Sequence, residues 1–311
     1  SIGASASTKS PSEGAAKRTL GGVLPTTTGT DAVTVTHTDP DGADPRPVTA
    51  RFVVAADGHW STVRRCVDPE SGNRLGAWHA FRQYFRGVDD PRLWVLFERD
   101  LLPGYAWVFP LPDGRANVGF GVRRDPSTSG KALAATWRDL LERPALRSVL
   151  GPAAEPEERH RAWPIPADHD SRRTTAGRVL FVGDAAGVVD PMTGEGVAQA
   201  LETGILAAEA VAAGGPSAAV AARYRRAVDE ALGRDLRFAA RLSRVLRSPA
   251  GVRFALRCVD TSDWTRRNFA RWMFEDYPRA LLLTPDRWRR GAFTPPGAFA
   301  DPGPLTEPTR A

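Results

Sequence analysis

The sequence predicts an α/β fold with a mostly antiparallel sheet set into it and a helical C-terminal region, and three observations carry that prediction. The run Val179-Leu180-Phe181-Val182 has no polar alternation, as expected of a parallel strand covered on both faces, and a turn and a helical pattern follow it. Residues 79–123 hold three strand-like runs, RQYFRGV, LWVLFE and YAWVFPLPDGRANVGFGV, with few helix signals. From about Ala218 onward helical patterns dominate.

The elements follow in order. Residues 1–18 read as a Ser-, Ala- and Gly-rich flexible lead without an apolar signal core, and as a chain that begins partway in. Val33, Val35 and His37 alternate with Thr, and Val48 to Ala56 is a second apolar segment, so both are expected to be strands around the turn-rich DPDGADPRP. KALAATWRDLLER supplies a helix, and RAWPIPADHD reads as a proline-punctuated connector. The segment after Gly297 is Pro-rich and expected to be loose.

Composition narrows the function. A chain of 311 residues can bury a large core in one large or two modest domains. The net charge is +6, yet 42 basic residues, almost all Arg, face 36 acids, so an anionic partner has to be argued from local clusters. No recognition module accompanies the charge, which disfavours nucleic acid. Cys66 and Cys258 lie far apart without a metal-type spacing, so neither a disulfide framework nor a metal site is expected, and a reducing, cytoplasmic compartment fits. No apolar run approaches the ~20 residues that span a bilayer, since the stretch after Gly196 carries Glu202 and Glu209.

Two turns carry an acid at the end of an apolar strand. Gly183 lets the backbone turn sharply, and Asp184 follows at the carboxyl edge, where ligands bind in open α/β sheets and where a carboxylate can accept two hydroxyl hydrogen bonds from a ribose or ribityl chain. After Pro191, the glycines Gly194 and Gly196 flank Glu195 and permit close backbone approach, and free amides at the start of the helix from Val197 can hold a phosphate or a polarised ring oxygen. A plain strand-to-helix turn, with Asp184 as a helix cap, is the alternative. Asp57-Gly58 ends a second such strand and is followed by Ser61 and Arg64 at helical spacing, so two turns need a shared explanation.

Tyr105, Trp107 and Phe109 fall at i, i+2 and i+4, which puts three rings on one face of a strand. Pro112-Asp113-Gly114 makes a turn, and the returning strand carries Gly119 and Gly121 on alternate positions. A glycine-bared stripe beside an aromatic face would admit a long, flat or chain-like apolar ligand; the alternative is an aromatic sheet core. Arg234, Arg237, Arg241, Arg244 and Arg247 recur every three or four residues beside a stripe of Phe238, Leu242, Val245 and Leu246. That pattern suits an anionic membrane surface or a solvated arginine face over a core stripe. Trp264, Phe269, Trp272, Tyr277 and Trp288 lie among further arginines, as at a bilayer interface or in simple packing.

AADGHWSTVRR resembles the second flavin fingerprint, and GRVLFVGDAAGVVDPMTGEG the third, of FAD-dependent oxidoreductases with the p-hydroxybenzoate hydroxylase type of fold. Within that fold the chain resembles the geranylgeranyl reductase family, including its menaquinone-reducing members. Tyr84 to Val88, PGYAWVFPLPDGRANVGFG, the Pro191 to Gly196 turn and WTRRNFARWMFEDYPRALLL carry that likeness. The resemblance implies that Asp184 binds the FAD ribityl chain, that the turn from Pro191 to Gly196 lies near the flavin ring and pyrophosphate, and that Asp57 and Gly58 touch FAD or the nicotinamide cofactor. It implies an incomplete Rossmann-like FAD-binding domain, because the family's opening GxGxxG strand-turn-helix, on the order of a hundred residues with its surroundings, has no counterpart here. The expected organisation is 1–76 and 164–217 as parts of the FAD-binding region, 77–163 as the antiparallel-sheet substrate domain with a helix, and 218–311 as the helical region and tail.

The implied activity is saturation of C=C bonds in a polyprenyl lipid, a geranylgeranyl or menaquinone side chain, with electrons from NAD(P)H or another donor and peripheral contact with the inner face of the membrane. An aromatic or polyketide monooxygenase and a truncated, flavin-free remnant are the alternatives. Flavin-dependent halogenases carry a Trp-x-Trp-x-Ile-Pro motif that Tyr105 and Phe109 depart from. No catalytic residue is assigned, with Tyr105 the conceivable proton donor.

Overall fold

A computed structural model describes residues 24–28, 31–37, 45–72, 76–125, 127–274 and 284–287. The lead over 1–18, the tail after Gly297, Tyr277 and Trp288 lie outside the described residues. In order come β1 (Leu24–Thr28), β2 (Val33–His37), β3 (Arg46–Ala50), β4 (Val53–Ala55), α1 (Thr62–Val67), α2 (Pro69–Gly72), β5 (Trp78–Arg86), β6 (Trp94–Leu96), β7 (Tyr105–Leu111) and β8 (Arg115–Arg123). Then follow α3 (Gly130–Glu142), α4 (Pro144–Leu150), β9 (Glu155–Pro156), β10 (Arg161–Ile165), β11 (Thr175–Ala176), β12 (Val179–Phe181), α5 (Val197–Ala212), α6 (Ser217–Val228), α7 (Arg234–Val245), α8 (Pro249–Val259) and α9 (Asp263–Phe274).

Three sheets form among the described residues. β1, β2 and β3 form an antiparallel ribbon; β10-β5-β8-β7-β6, with β9 beside β5, forms the large antiparallel sheet; and β11-β12-β4 contains the parallel pair β12–β4. The expected single strand from Val48 to Ala56 is in fact two. Its first half pairs with β2, the chain breaks direction at Arg51-Phe52, and Val53 then donates its amide to the Arg178 carbonyl at 3.0 Å on entering the parallel sheet. The expected connector RAWPIPADHD holds a strand, β10, whose five residues pair with β5. Pro164 is compatible with that strand because β10 is an edge, where a missing N–H breaks no ladder.

The parallel-pair sheet and the large sheet each build their own core. Val179, Leu180 and Phe181 are fully buried, packed with Ala55, Val63, Ala207, Val220, Tyr224 and Val228 between the parallel strands and α5–α6. In the large sheet Phe81, Phe85, Ala106, Val108, Val118 and Phe120 face Leu133, Trp137 and Leu140 of α3. Gln83 on that buried face is satisfied by the Trp137 indole N–H at 3.0 Å. A third cluster joins the regions: Met192 packs with Ala239, Leu246 and Val252 of the α7–α8 pair, against Phe97 and Leu102 from the β6–β7 connection. Val245, expected in the apolar stripe of α7, is instead 44% exposed at the helix end beside Arg244. Val54 on the edge strand β4 and Val197, Leu201 and Ile205, spaced four apart along α5, are exposed as well.

Candidate functional site

The acid turn after β12 is braced from two helices. The Tyr224 hydroxyl donates to the Phe181 carbonyl at 2.6 Å, and the Gly183 amide donates to Thr203 Oγ1 at 2.9 Å. Gly183 has φ +54, and a Cβ there would sit 3.0 Å from the Ala200 Cβ, so glycine is required both by backbone sign and by the closeness of α5. A 3₁₀ turn over Gly183–Ala186 then carries Asp184. Burial pushes the Asp184 carboxyl up, opposed by Arg172, and no described residue donates a hydrogen bond to it. A half-buried carboxylate without a protein partner is suited to a ligand hydroxyl.

The second half of the site starts at Asp190, a residue the sequence reading passed over. Its buried Oδ1 accepts from the amides of Met192 (2.9 Å) and Thr193 (2.7 Å) and from the Thr193 hydroxyl (2.9 Å). The Asp190 amide donates to the Glu195 carbonyl, and the Gly194 amide to the Asp190 carbonyl, closing a tight loop over Pro191 to Glu195. Gly196 is the N-cap of α5 and gives no side-chain cap. A Cβ on it would meet Val189 at 3.0 Å and Asp184 Oδ1 at 3.4 Å, so the unbonded amides at the start of α5 open beside the Asp184 carboxylate. An acid for hydroxyls next to a helix N-terminus for anionic oxygen is a donor set that fits FAD.

Asp57 and Gly58 end β4 on the parallel partner of β12. The Asp57 carboxylate accepts from the Val63 amide at 3.1 Å, Ser61 caps Arg64, and Gly58 takes φ +75. Arg64 ties this turn to the other. Its guanidinium is buried, donates to the carbonyls of Ala185 (2.5 Å) and Arg173 (2.8 Å), and lies 3.7 Å over the Phe181 ring. The sequence singled out Arg64 by spacing only; its partners lie 121 and 109 residues away.

The large sheet presents its other face to a cavity of about 570 Å³. Tyr105, Trp107 and Phe109 share that face, while Ala106 and Val108 between them are buried toward α3. Registry arranges the floor in rows. Across β10, β5, β8 and β7, one row reads Trp163, Ala80, Gly121, Tyr105, and the next reads Arg161, Arg82, Gly119, Trp107. Gly119 lies directly beneath the Trp107 ring, where a Cβ would approach an indole carbon to 2.4 Å, and the Trp107 N–H reaches Asn117 at 3.2 Å. Glycine at 119 therefore lets the indole lie flat, and small residues at 80 and 121 leave a trough between Trp163 and Tyr105.

That trough opens onto the loop after β12. Met192, Thr193, Gly194 and Glu195 form the opposite wall, and the Tyr105 hydroxyl donates to the Thr193 carbonyl. Trp60, from the Asp57 turn, meets Trp163 edge-on at 6.4 Å. Of the residues expected in the site, Tyr105, Trp107, Phe109, Gly121, Gly194 and Glu195 line one cavity and Gly119 lies under the Trp107 ring, whereas Gly183, Asp184, Pro191, Gly196, Asp57 and Gly58 are not among its lining residues. Trp78 and Arg82 of β5 and Trp163 and Arg161 of β10 line the cavity without having been expected there, the latter pair because RAWPIPADHD reads as a connector.

Residues 12–228 match the family described as FAD binding domain, and the chain belongs to that family. Among curated relatives, digeranylgeranylglycerophospholipid reductase 2 of Methanothermobacter thermautotrophicus is 31% identical over 260 residues, covering 79% of this chain and 64% of the relative. A menaquinone reductase of Mycolicibacterium smegmatis is 30% identical over 205 residues, covering 60% and 48%. The chain thus spans less than two thirds of the length of these relatives. A geranylgeranyl bacteriochlorophyll reductase-like protein from Thermoplasma acidophilum shares the fold, with a TM-score of 0.63 at 23% identity over 85% of this chain and 68% of that one.

Proposed function

We propose that the chain belongs to an FAD-dependent reductase that saturates C=C bonds in a polyprenyl chain. The observation that carries this reading is the trough itself, an apolar floor bared by Ala80 and Gly121, walled by Trp163 and Tyr105, and open along one side to the Gly194–Glu195 turn. Its shape and apolar lining suit a flexible hydrocarbon laid lengthwise. The names of the curated relatives support the same class.

Asp184 would bind hydroxyls of the FAD ribityl chain, and the α5 amides beyond Gly196 would face its anionic oxygens. The chemistry FAD would supply there, when bound and reduced, is hydride donation to one alkene carbon, and NAD(P)H or another two-electron donor would restore it. The remaining steps fall to the protein. Trp107, lying flat over Gly119, and Tyr105 hold the chain against the turn and exclude water. Tyr105 fixes the distance between floor and turn through Thr193. The second alkene carbon takes up a proton, so each saturated bond gains two hydrogens in all. Asp57 and Gly58, coupled to the site through Arg64 and Trp60, are proposed to contact the cofactor from the β4 side. The peripheral membrane contact is assigned to the α7–α8 corner, whose arginines and apolar side chains are exposed together.

The test is an anaerobic incubation of FAD-loaded protein with a chemical reductant and a polyprenyl substrate, read by mass spectrometry. Gain of hydrogen without oxygen consumption is the expected result. NAD(P)H-dependent oxygen uptake with hydroxylated product would replace this reading with a monooxygenase.

A further inference from the structure

The turn that carries Asp184 is held between two buried guanidiniums. Arg64 donates to the Ala185 carbonyl and has Asp68 as its acid at 3.3 Å. Arg172 lies against the other end of the turn. Its side chain is 1% exposed, with Nε 2.8 Å from Asp168 Oδ1. Both groups press on Gly187, where a Cβ would come to 2.6 Å from Arg172 Cδ and 3.1 Å from Asp168 Oδ1. Gly187 is tied in turn to Asp184, its amide donating to the Asp184 carbonyl at 3.1 Å. The Asp168–Arg172 pair is prebuilt by its own segment. A 3₁₀ turn over His169–Ser171 sets the two side chains at i and i+4, the Arg172 amide donates to the His169 carbonyl at 3.1 Å, and the Ser171 hydroxyl to the Asp168 carbonyl at 2.9 Å.

Resting on the proposed role of Asp184 as the acid that takes ligand hydroxyls, we infer that Arg172 is a positioning residue for that acid: from the far end of the turn it supplies the positive charge that keeps the carboxylate ionised, while Asp168 holds it back from the carboxylate oxygens. Two effects compete at Asp184. Burial favours the neutral acid and Arg172 opposes it, and among the described residues Arg172 is the charged side chain that acts on this carboxyl. A guanidinium in direct contact would also keep the charge, but it would occupy the acceptor sites that ligand hydroxyls need. A neutral carboxyl would instead become a donor and lose the charge that strengthens those hydrogen bonds. The groups around Arg172 leave this division of roles intact. Asp168 offsets part of its charge, and Arg64 has Asp68 and Asp57 facing it. His59, with Arg172, Asp168, His79 and Arg124 around it, is held neutral chiefly by burial.

The experiment reads the charge on Asp184 directly, from the carboxyl carbon shift of protein labelled with ¹³C-aspartate, followed against pH without flavin and assigned with Asp184→Asn. The Kd for FAD is then measured over the same pH range. Arg172→Gln is expected to move the Asp184 inflection up by about one pH unit, and to weaken FAD about 10-fold below the inflection while the two proteins converge at the alkaline limit. Arg172→Lys keeps the charge and should restore most of the original profile. Asp168→Asn removes the offsetting acid and should move the inflection down. That shift has the opposite sign, so it tests the inference even if Arg172→Gln folds poorly. An inflection unmoved by both substitutions, or a Kd raised by the same factor at every pH, would make Arg172 a purely structural group and overturn the inference. If the inflection moves as expected but Asp184→Asn binds FAD as tightly as the unaltered chain, the coupling of Arg172 to Asp184 stands and the role of Asp184 as the ligand's acid is the part that fails.

Discussion

At the scale of single residues, His59 is buried at a cost. It is 4% exposed, and neither ring nitrogen has a hydrogen-bond partner. Burial, then the nearby Arg172, with His79 and Arg124 adding to it and Asp168 opposing, lowers its pKa from 6.5 to about 4. The folded state therefore holds His59 neutral while the unfolded chain takes up a proton below about 6.5. Stability is full above that value and falls as pH drops toward about 4, by about 2–3 kcal/mol at 1.36 kcal/mol per pH unit. His79, also depressed by burial, acts in the same direction. Thermal unfolding followed between pH 7 and pH 4 should show this slope, and His59→Gln should flatten it; an unchanged slope would mean that His59 is not its source. Arg64 is the complementary case. Arg64→Met removes the donors that satisfy the Ala185 and Arg173 carbonyls and should cost about 3–5 kcal/mol in denaturant unfolding. A loss under 1 kcal/mol would show that the two acid turns do not depend on this strut.

At the scale of elements, the β7–β8 hairpin and the 190–195 loop shape the cavity between them. Gly119→Ala places a methyl group where the Trp107 indole now lies, so the ring has to lift into the trough. Turnover of a polyprenyl substrate should fall at least about 10-fold, with a stability loss of about 1–3 kcal/mol from overpacking; unaltered turnover would place the substrate elsewhere. Asp190→Ala leaves three donors of the loop without an acceptor and should cost about 2–4 kcal/mol and loosen the Gly194 turn.

These elements also show what could be read from the chain alone. The aromatic face and its glycine stripe were legible because a strand repeats every second residue, and the registry sets Tyr105 opposite Gly121 and Trp107 opposite Gly119. The turn at Asp184 was legible because an unbroken apolar strand stops at a glycine. β10 was not, because Pro164 and Pro166 look like a connector and the strand's edge position is a tertiary fact. With β10 went Trp163 and Arg161. Asp190 and Arg64 were missed as partners because their roles lie in contacts made after folding, in one case across 121 residues.

At the scale of the whole molecule, charge is laid out unevenly. Between Asp235 and Asp260 the chain has six arginines and no acid. Arg237 pairs with Asp229 at 2.7 Å, whereas Arg241, Arg244, Arg247, Arg253 and Arg257 are exposed and have no carboxylate partner among the described residues. Val245, Phe254 and Leu256 are exposed among them, Phe254 by 65%. The same α7–α8 pair packs on Met192, which lines the cavity, so a lipid surface held here would lie behind the cavity wall. No helix among the described residues is long and apolar enough to cross a membrane. Co-sedimentation with vesicles containing anionic phospholipid is expected, weakening with added salt, and Arg253→Glu with Arg257→Glu should reduce it about 10-fold or more at about 1 kcal/mol per charge. Equal binding to neutral vesicles, indifferent to salt and to these substitutions, would remove the membrane from the proposal.

All of this rests on the Asp184 carboxylate and the start of α5 forming one cofactor site. The most direct measurement is the absorbance spectrum of the purified chain after incubation with FAD and gel filtration, with Asp184→Ala alongside. The unaltered chain is expected to keep the flavin bands, and Asp184→Ala to lose them through an affinity drop of about 10- to 100-fold, the worth of hydrogen bonds to a charged acceptor. Flavin retained equally by both, or by neither, would contradict the assignment of Asp184 as the residue that holds it.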